Sequence, residues 1–581
     1  MKWYISAVLP LLTLTLLTAS GCKKEVQCNT IHIVHTTDVH GNLLPYDFVN
    51  DRPGRGSYAR VASYVKGLEA EDQEVLLLDA GDILQGQPIA YYYNYVDTVA
   101  QHPFAKYFEQ CGYDAITIGN HDIETGHSVY DRFVAQLRVP ILGANVVKTD
   151  SDQPYFLPYV ILKTGGRRIA VIGTTMPGLV NNLPEQLWSG LRFDDQVETV
   201  RKYLPEIKAS EPDLIVALIH SGSGSPDGQY YPKGDNVGYQ MARELPDIDL
   251  ILLGHDHRAL VDSVVHRNGG VTYLLNPGSD AMRVSHTEVF FCGDKERRHI
   301  RMRAELVSMD EMEPDATFGM SFRTHEEAVS EFVSQPIGRI TRTIDARSSF
   351  FRPTYFTDLI HQVQRFVFPQ AEISLTAPLD FDVELDAGEV AYRDLFKMYR
   401  YENRLYLMVL SGKEIKGTLE ESYGRWIETM ERPTDRLIQI DESRFGGQYL
   451  ATKNASFNFD SASGMTYTVD ATKPKGERVS ITAVGEQPFE LDGEYLVAVN
   501  SYRGSGGGGL LTEGGGIPIG QLRHRIIATT DRDLRHYFML FLQQHNPYTP
   551  VIKADWAFVP KDWIEPAIQR DSTLLFSNIK K

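Results

Sequence analysis

Five β-rich runs in the first half of this chain end abruptly on polar residues that can hold metals. Their recurrence constrains the fold more than any single motif. Residues 31–37 lead into Thr37-Asp38-Val39-His40-Gly41-Asn42, and residues 74–79 into Ala80-Gly81-Asp82, followed by Gln85-Gly86. Residues 114–118 stop on Gly119-Asn120-His121-Asp122. Residues 213–219 stop on His220-Ser221-Gly222, and residues 248–253 on Gly254-His255-Asp256-His257. A buried parallel strand that halts this way places polar side chains at the rim of a sheet, where open α/β folds bind ligands. One such ending is an ordinary turn; five in succession can bring one chemistry to one edge.

Between these runs lie helical stretches near 57–69, 103–111 and 129–137, with further β-runs at 140–146, 168–175 and 271–276. Many of the β-runs are apolar on both faces, as strands covered on both sides are. Residues 22–310 therefore read as a layered α/β domain. The charged stretch 311–344 has helical spacing over 325–333 and stops at Pro336, so it is expected to be a linker helix. Residues 345–550 mix strands (406–410, 465–470, 495–500) with helices (354–366, 412–422) and close on a glycine cluster at 504–516, an α+β second domain. Residues 551–581 read as a C-terminal tail. Two domains suit a chain of 581 residues, which is too long for one core.

The net charge of −18 argues against a general binder of nucleic acid polymers, which needs a basic face to neutralise phosphates. It leaves room for a small anionic substrate, because a metal inverts the field locally. Lys2, the apolar run 7–17 and Ala19-Ser20-Gly21 before Cys22 read as an export signal, similar to that of bacterial lipoproteins. Cleavage before Cys22 would leave that residue lipidated and the protein tethered to a membrane of the bacterial envelope. Cys28, Cys111 and Cys292 show no thiolate metal spacing; one disulfide among them is possible outside the cytoplasm, and its pairing is open.

The donors at the five strand ends are oxygen and imidazole without thiolate, a set that suits zinc, manganese, iron or cobalt. Two divalent ions a few ångströms apart need a bridging carboxylate and enough histidines for both shells. The chain supplies both.

The order Asp-x-His, Gly-Asp-x-x-x-Gly, Gly-Asn-His-Asp, His, Gly-His-x-His resembles the calcineurin-like metallophosphoesterase pattern. The resemblance implies an α/β/β/α sandwich in which Asp38, His40 and His257 bind one metal and Asn120, His220 and His255 the other, with Asp82 bridging them. It further implies that water activated by the metals attacks phosphorus in line, while His121 contacts the phosphate. Three residues after this histidine, 5′-nucleotidases usually carry an aspartate that orients the ring; here the position is Glu124, longer by one methylene.

The second half extends the likeness to 5′-nucleotidases. Ser456-Phe457-Asn458-Phe459-Asp460 and Asn500-Ser501-Tyr502-Arg503 resemble their base-binding segments, which implies that Phe457 and Tyr502 sandwich a nucleobase and that Arg503 lies at the substrate. The finer match is to exported 2′,3′-cyclic-nucleotide 2′-phosphodiesterase/3′-nucleotidases. Thr376-Ala377-Pro378 stands where 5′-nucleotidases usually have an Asn-Gly-Gly run, and Gly508 where they place a late aspartate. Asn-His-Asp-Ile-Glu departs from the Asn-His-Glu-Phe-Asn of the cyclic phosphodiesterases. The resemblance thus implies a nucleotide phosphoester hydrolase, cyclic-nucleotide or 5′-specific. A non-catalytic nucleotide-capturing lipoprotein would be expected to have lost a ligand, and all seven are present.

Overall fold

The computed structural model describes residues 28–227, 234–292, 299–445 and 450–577. The expected export signal and Cys22 lie outside the described residues. No helix among the described residues is long and apolar enough to cross a membrane.

The first domain holds two six-stranded sheets. One runs His299–Ser308, Arg283–Cys292, Cys28–Thr36, Glu74–Asp79, Ala115–Thr117, Ile141–Leu142. The other runs Leu260–Val265, Val271–Asn276, Leu250–Leu253, Leu214–His220, Arg167–Thr175, Tyr159–Thr164. Side-chain alternation explains why the strands read as unbroken apolar runs. On Leu214–His220, residues Leu214, Val216 and Leu218 enter a core between the sheets, where Ile31, Ile33, Leu76 and Leu78 of the first sheet meet them. Ile215, Ala217 and Ile219 point outward under helices Gln196–Ala209 and Gly238–Glu244. Val34, Leu77 and Ile116 likewise meet helices Tyr58–Ala70, Pro103–Gln110 and His127–Gln136. Both faces of each sheet are thus covered, and the layers are helix, sheet, sheet, helix.

The long antiparallel strands Arg283–Cys292 and His299–Ser308, and the edge strands Tyr159–Thr164 and Leu260–Val265, have no clear sequence signal. Half-exposed edge residues interrupt the apolar runs that mark central strands. Arg283–Cys292 pairs antiparallel with Cys28–Thr36 in a register that sets Cys28 opposite Cys292, and these two form a disulfide.

Helix Ala316–Ser334, capped by Asp315, occupies the expected linker. It is a packed bridge: Phe318, Phe322 and Phe332 share one core with Tyr91 of the first domain and with Tyr392 and Phe396 of the second. The second domain contains a five-stranded sheet, Ser461–Ser463, Ile373–Thr376, Glu494–Asn500, Leu405–Ser411, Ile526–Thr529, and a four-stranded one. Residues 551–581, expected as a tail, belong largely to this domain. Trp556–Val559 pairs in parallel with Met465–Asp470, and helix Lys561–Ser577 buries Ile564, Ala567 and Leu575. The buried Asp571 on that helix accepts from the amides of Leu437 and Ile438.

Candidate metal centre

All five chemistry-bearing segments follow carboxyl ends of parallel strands, three from the first sheet and two from the second. The sheets meet where His220 Nδ1 donates to the Ala80 carbonyl at 2.8 Å. Asp38, His40, Asp82, His255 and His257 all adopt left-handed backbone, with φ of 49°, 49°, 59°, 70° and 55°. Each costs on the order of 1 kcal/mol or more in a side-chain-bearing residue, strain that collects at functional sites. Cross-loop bonds hold it: Asp38 N donates to Gly81 O (2.9 Å) and His40 N to Asp82 O (3.0 Å). Gly119 sits where a Cβ would stand 2.1 Å from Asp82 Oδ1.

The donors form two groups. Asp38, His40 and His257 converge in one, and Asp38, Asp82 and His220 in the other. His257 Nε2 lies 3.3 Å from Asp38 Oδ1 and 3.0 Å from His40 Nε2. His220 Nε2 lies 3.2 Å from Asp82 Oδ2 and 3.0 Å from Asn120 Oδ1, which His255 Nδ1 also meets at 3.0 Å. All seven expected ligands are therefore brought together. The carboxylate common to both groups is Asp38, whereas one oxygen of Asp82 accepts from the His121 amide (2.8 Å). Asp82 nevertheless faces both sets, since His220 and His40 both act on its charge.

These residues fit divalent ions. With Nδ1 of His220 committed to a carbonyl, its Nε2 faces Asn120 Oδ1 and Asp82 Oδ2, oxygens that a cation at this nitrogen would draw together. Without a metal that cation is a proton: burial opposes it, but Asp82, Asp38 and the Ala80 carbonyl together raise the His220 pKa to about 9. Metal and proton compete for the same lone pair. His40 Nδ1 is buried with no hydrogen-bond partner.

His121 stands beside this centre, its side chain 31% exposed. Its Nδ1 meets Glu124 Oε2 at 2.6 Å, so the extra methylene of Glu124 still reaches the ring. Burial works against charge on His121, yet Asp82 and Glu124 together hold its pKa at about 10.

Two aspartates whose role is not legible in the sequence frame the site. Asp122 is fully buried; its Oδ2 accepts from the amides of Gly119 (2.8 Å) and Asp82 (2.9 Å), and its Oδ1 from those of Ile83 and Leu84 (both 2.8 Å). It staples the Asp82 loop to the Asn120-His121 loop. The sequence signal is an aspartate at the third position of the helix, whose carboxylate reaches back to the amide of the preceding Gly119. Asp256 does the same on the second sheet, accepting from Ser223 N (2.9 Å), Asn276 Nδ2 (2.8 Å) and Arg258 N (3.2 Å) between His255 and His257.

In the second domain, Phe457 and Tyr502 are neighbours, but perpendicular: ring centroids are 6.0 Å apart at 86°. They make a corner, not the parallel sandwich expected, and Tyr401 adds a third ring 6.3 Å from Phe457. Arg503, expected at the substrate, is 2% exposed and turned into the protein. It pairs with Asp460 through Nε (2.8 Å) and Nη2 (3.0 Å) and donates to Phe457 O (2.7 Å) and Gly507 O. It buttresses the corner and has no capacity left for a ligand. At Gly508 (φ 68°) a Cβ would stand 2.0 Å from Asn458 Oδ1, so the aspartate of the 5′-nucleotidases has no room there.

Sandwich and donor set define a metal-dependent phosphoesterase. The chain carries a calcineurin-like phosphoesterase domain, matched over residues 31–259, and a 5′-nucleotidase C-terminal domain, matched over 336–513. It is a phosphoric ester hydrolase of these families. The chain is 26% identical to a 2′,3′-cyclic-nucleotide 2′-phosphodiesterase/3′-nucleotidase of Haemophilus influenzae, over 91% of this chain and 87% of that one. It is 25% identical to the protein so named in Salmonella typhimurium, over 82% and 81%. A solved Staphylococcus aureus structure of 5′-nucleotidase type, in complex with alpha-ketoglutarate, shares the fold with a TM-score of 0.76 at 22% identity, over 91% of this chain and 99% of that one.

Proposed function

We propose that this protein is an exported, lipid-anchored, two-metal hydrolase of nucleotide phosphoesters, acting as a 2′,3′-cyclic-nucleotide 2′-phosphodiesterase and 3′-nucleotidase. The observation that carries it is the convergence of seven oxygen and imidazole donors beside the His121–Glu124 pair. Asp38, His40 and His257 would hold one ion, Asn120, His220 and His255 the other, and Asp82 both. Bound zinc, manganese, cobalt or iron would supply a water of lowered pKa and neutralise phosphate oxygens. The chain's own part is to place the phosphate against His121, whose ring Glu124 orients and whose other nitrogen donates to a phosphate or leaving oxygen. The aromatic corner of Phe457 and Tyr502, joined by Tyr401, offers the nucleobase a face and an edge.

The relatives' names favour the cyclic-nucleotide reading, as do Thr376-Ala377-Pro378 and Gly508. A 5′-nucleotidase is the second reading, favoured by Glu124, which orients the histidine from the position those enzymes use. The disulfide between Cys28 and Cys292 suits an oxidising compartment and supports export; the anchor rests on Cys22.

The test is a rate comparison of 2′,3′-cAMP, 3′-AMP and 5′-AMP with purified protein, stripped with EDTA and reloaded with Mn²⁺, Co²⁺ or Zn²⁺. The reading expects metal-restored turnover, fastest on the first two. Fastest turnover of 5′-AMP would favour the second reading, and no turnover with any metal would refute both.

A further inference from the structure

Arg535 is fully buried where the two domains meet. Its Nε donates to Asp533 Oδ2 at 2.7 Å. Its Nη2 lies 2.9 Å from Glu402 Oε1, an ion pair between two buried side chains. The guanidinium packs between the ring of Tyr91 from the first domain (4.8 Å) and that of Phe396 from the second (4.5 Å). Glu402 accepts from the hydroxyl of Tyr95 at 3.2 Å, again from the first domain. The Tyr91 and Tyr392 hydroxyls meet at 3.2 Å across the same boundary.

Each side of this cluster leads to a functional element. Tyr91 and Tyr95 lie on the helical segment 88–96, tied at its start by Gln87 N to the His40 carbonyl (3.0 Å) and further on by Asn94 Nδ2 to the Leu84 carbonyl (2.6 Å). The segment thus hangs directly from the loops of His40 and Asp82. On the other side, Glu402 follows Tyr401, whose ring packs on Phe457. Asn403 accepts from the amide of Leu534 at 2.9 Å, and Tyr399 receives donors from Asn403 and Asn500, both at 3.3 Å. Asn500 caps the short helix that carries Tyr502.

A desolvated ion pair is a poor means of stabilising a fold, since apolar residues of similar volume often serve as well or better. It does fix geometry, because breaking the pair strands a buried charge. We propose that Arg535, with Glu402, is an interdomain positioning residue: it sets the placement of the base-contacting rings relative to the metal centre. It would therefore govern hydrolysis of nucleotides, which span both elements, and not of phosphoesters small enough to need the metal centre alone. The proposal rests on the nucleotide reading above.

The test compares wild type with Arg535→Met, which fills the space between Tyr91 and Phe396, and with the isosteric Glu402→Gln. kcat and KM are measured on 2′,3′-cAMP, 3′-AMP and p-nitrophenyl phosphate in excess Mn²⁺, with thermal unfolding alongside. Misplacement of a bound substrate by about 1 Å costs on the order of 100-fold. Nucleotide kcat/KM should therefore fall by at least about 30-fold, while aryl phosphate turnover stays within about threefold. Parallel loss on both substrates, or no loss on either, overturns the proposal. If Arg535→Met does not fold, Glu402→Gln and Tyr95→Phe carry the same expectation. Wild-type protein that hydrolyses the aryl phosphate but no nucleotide would instead refute the nucleotide reading, and this proposal with it.

Discussion

Replacing Asp122 with asparagine removes acceptor capacity from two metal-bearing loops at once. The native carboxylate takes four backbone amides, two on each oxygen. An asparagine oxygen can keep two of them, and its NH₂ then faces the other two N–H groups, donor against donor. Two hydrogen bonds to a charged acceptor are lost, worth about 1.5–3 kcal/mol each, or roughly 3–6 kcal/mol if nothing relaxes. That is a large part of the roughly 5–15 kcal/mol by which a domain is stable, so the loops are expected to shift instead. Any shift moves Asp82, whose own amide is among the four, and Asn120, which lies between Gly119 and Asp122. The assay is kcat on 3′-AMP in saturating Mn²⁺, with metal affinity measured by chelator competition. We expect kcat to fall by about 100-fold without rescue by excess metal, and affinity to fall by about 10–100-fold. An Asp122→Asn protein with kcat within about threefold of wild type and unchanged affinity would refute the staple argument.

Glu124→Gln keeps the reach to His121 but not the charge; losing a charge-assisted bond of about 1.5–3 kcal/mol should lower kcat by about 10–100-fold with metal content unchanged, and an unaltered kcat would remove Glu124 from the mechanism. Loss of the Cys28–Cys292 bond, which closes a sequence separation of 264 residues, should cost up to about 5–6 kcal/mol by loop entropy. Because the nine-residue strand sets that bond about 30 Å from Asp38, kcat at 25 °C should not change, and a fall in kcat without a fall in Tm would show coupling along the strand.

The central strands were legible because their sequence requirement is local. A parallel strand covered on both faces must be apolar throughout and must stop where the sheet meets solvent, and Leu214–His220 shows both properties in one line of sequence. Edge strands have no such requirement. Leu260–Val265 is mostly exposed, and its pairing with Val271–Asn276 is fixed by backbone bonds that leave little trace in side-chain pattern. The same holds for Trp556–Val559, whose partner strand Met465–Asp470 lies far back in the chain. Its short apolar alternation gains meaning only once that partner is in place, which is why the segment reads as a tail.

In the site, ligands were legible and their supports were not. Aspartate and histidine at strand ends announce metal chemistry by residue type, and the order of the motifs, through its resemblance to the metallophosphoesterase pattern, names the seven donors among them. The work of Asp122 and Asp256 depends on which amides converge on them, and those amides come from Asp82, Ile83 and Leu84 in one case and from Ser223 in the other. Arg503 shows the converse error. A cation beside an aromatic in a glycine-rich run has the composition of a ligand site, but Asp460, the Phe457 carbonyl and the Gly507 carbonyl consume its donors. A buried arginine becomes available to a substrate only when its hydrogen-bond capacity exceeds its protein partners, and sequence records the capacity without the partners. By that criterion Arg535, fully buried and paired with Asp533 and Glu402 at the boundary between the domains, is not a ligand either, and what it can do is place other groups.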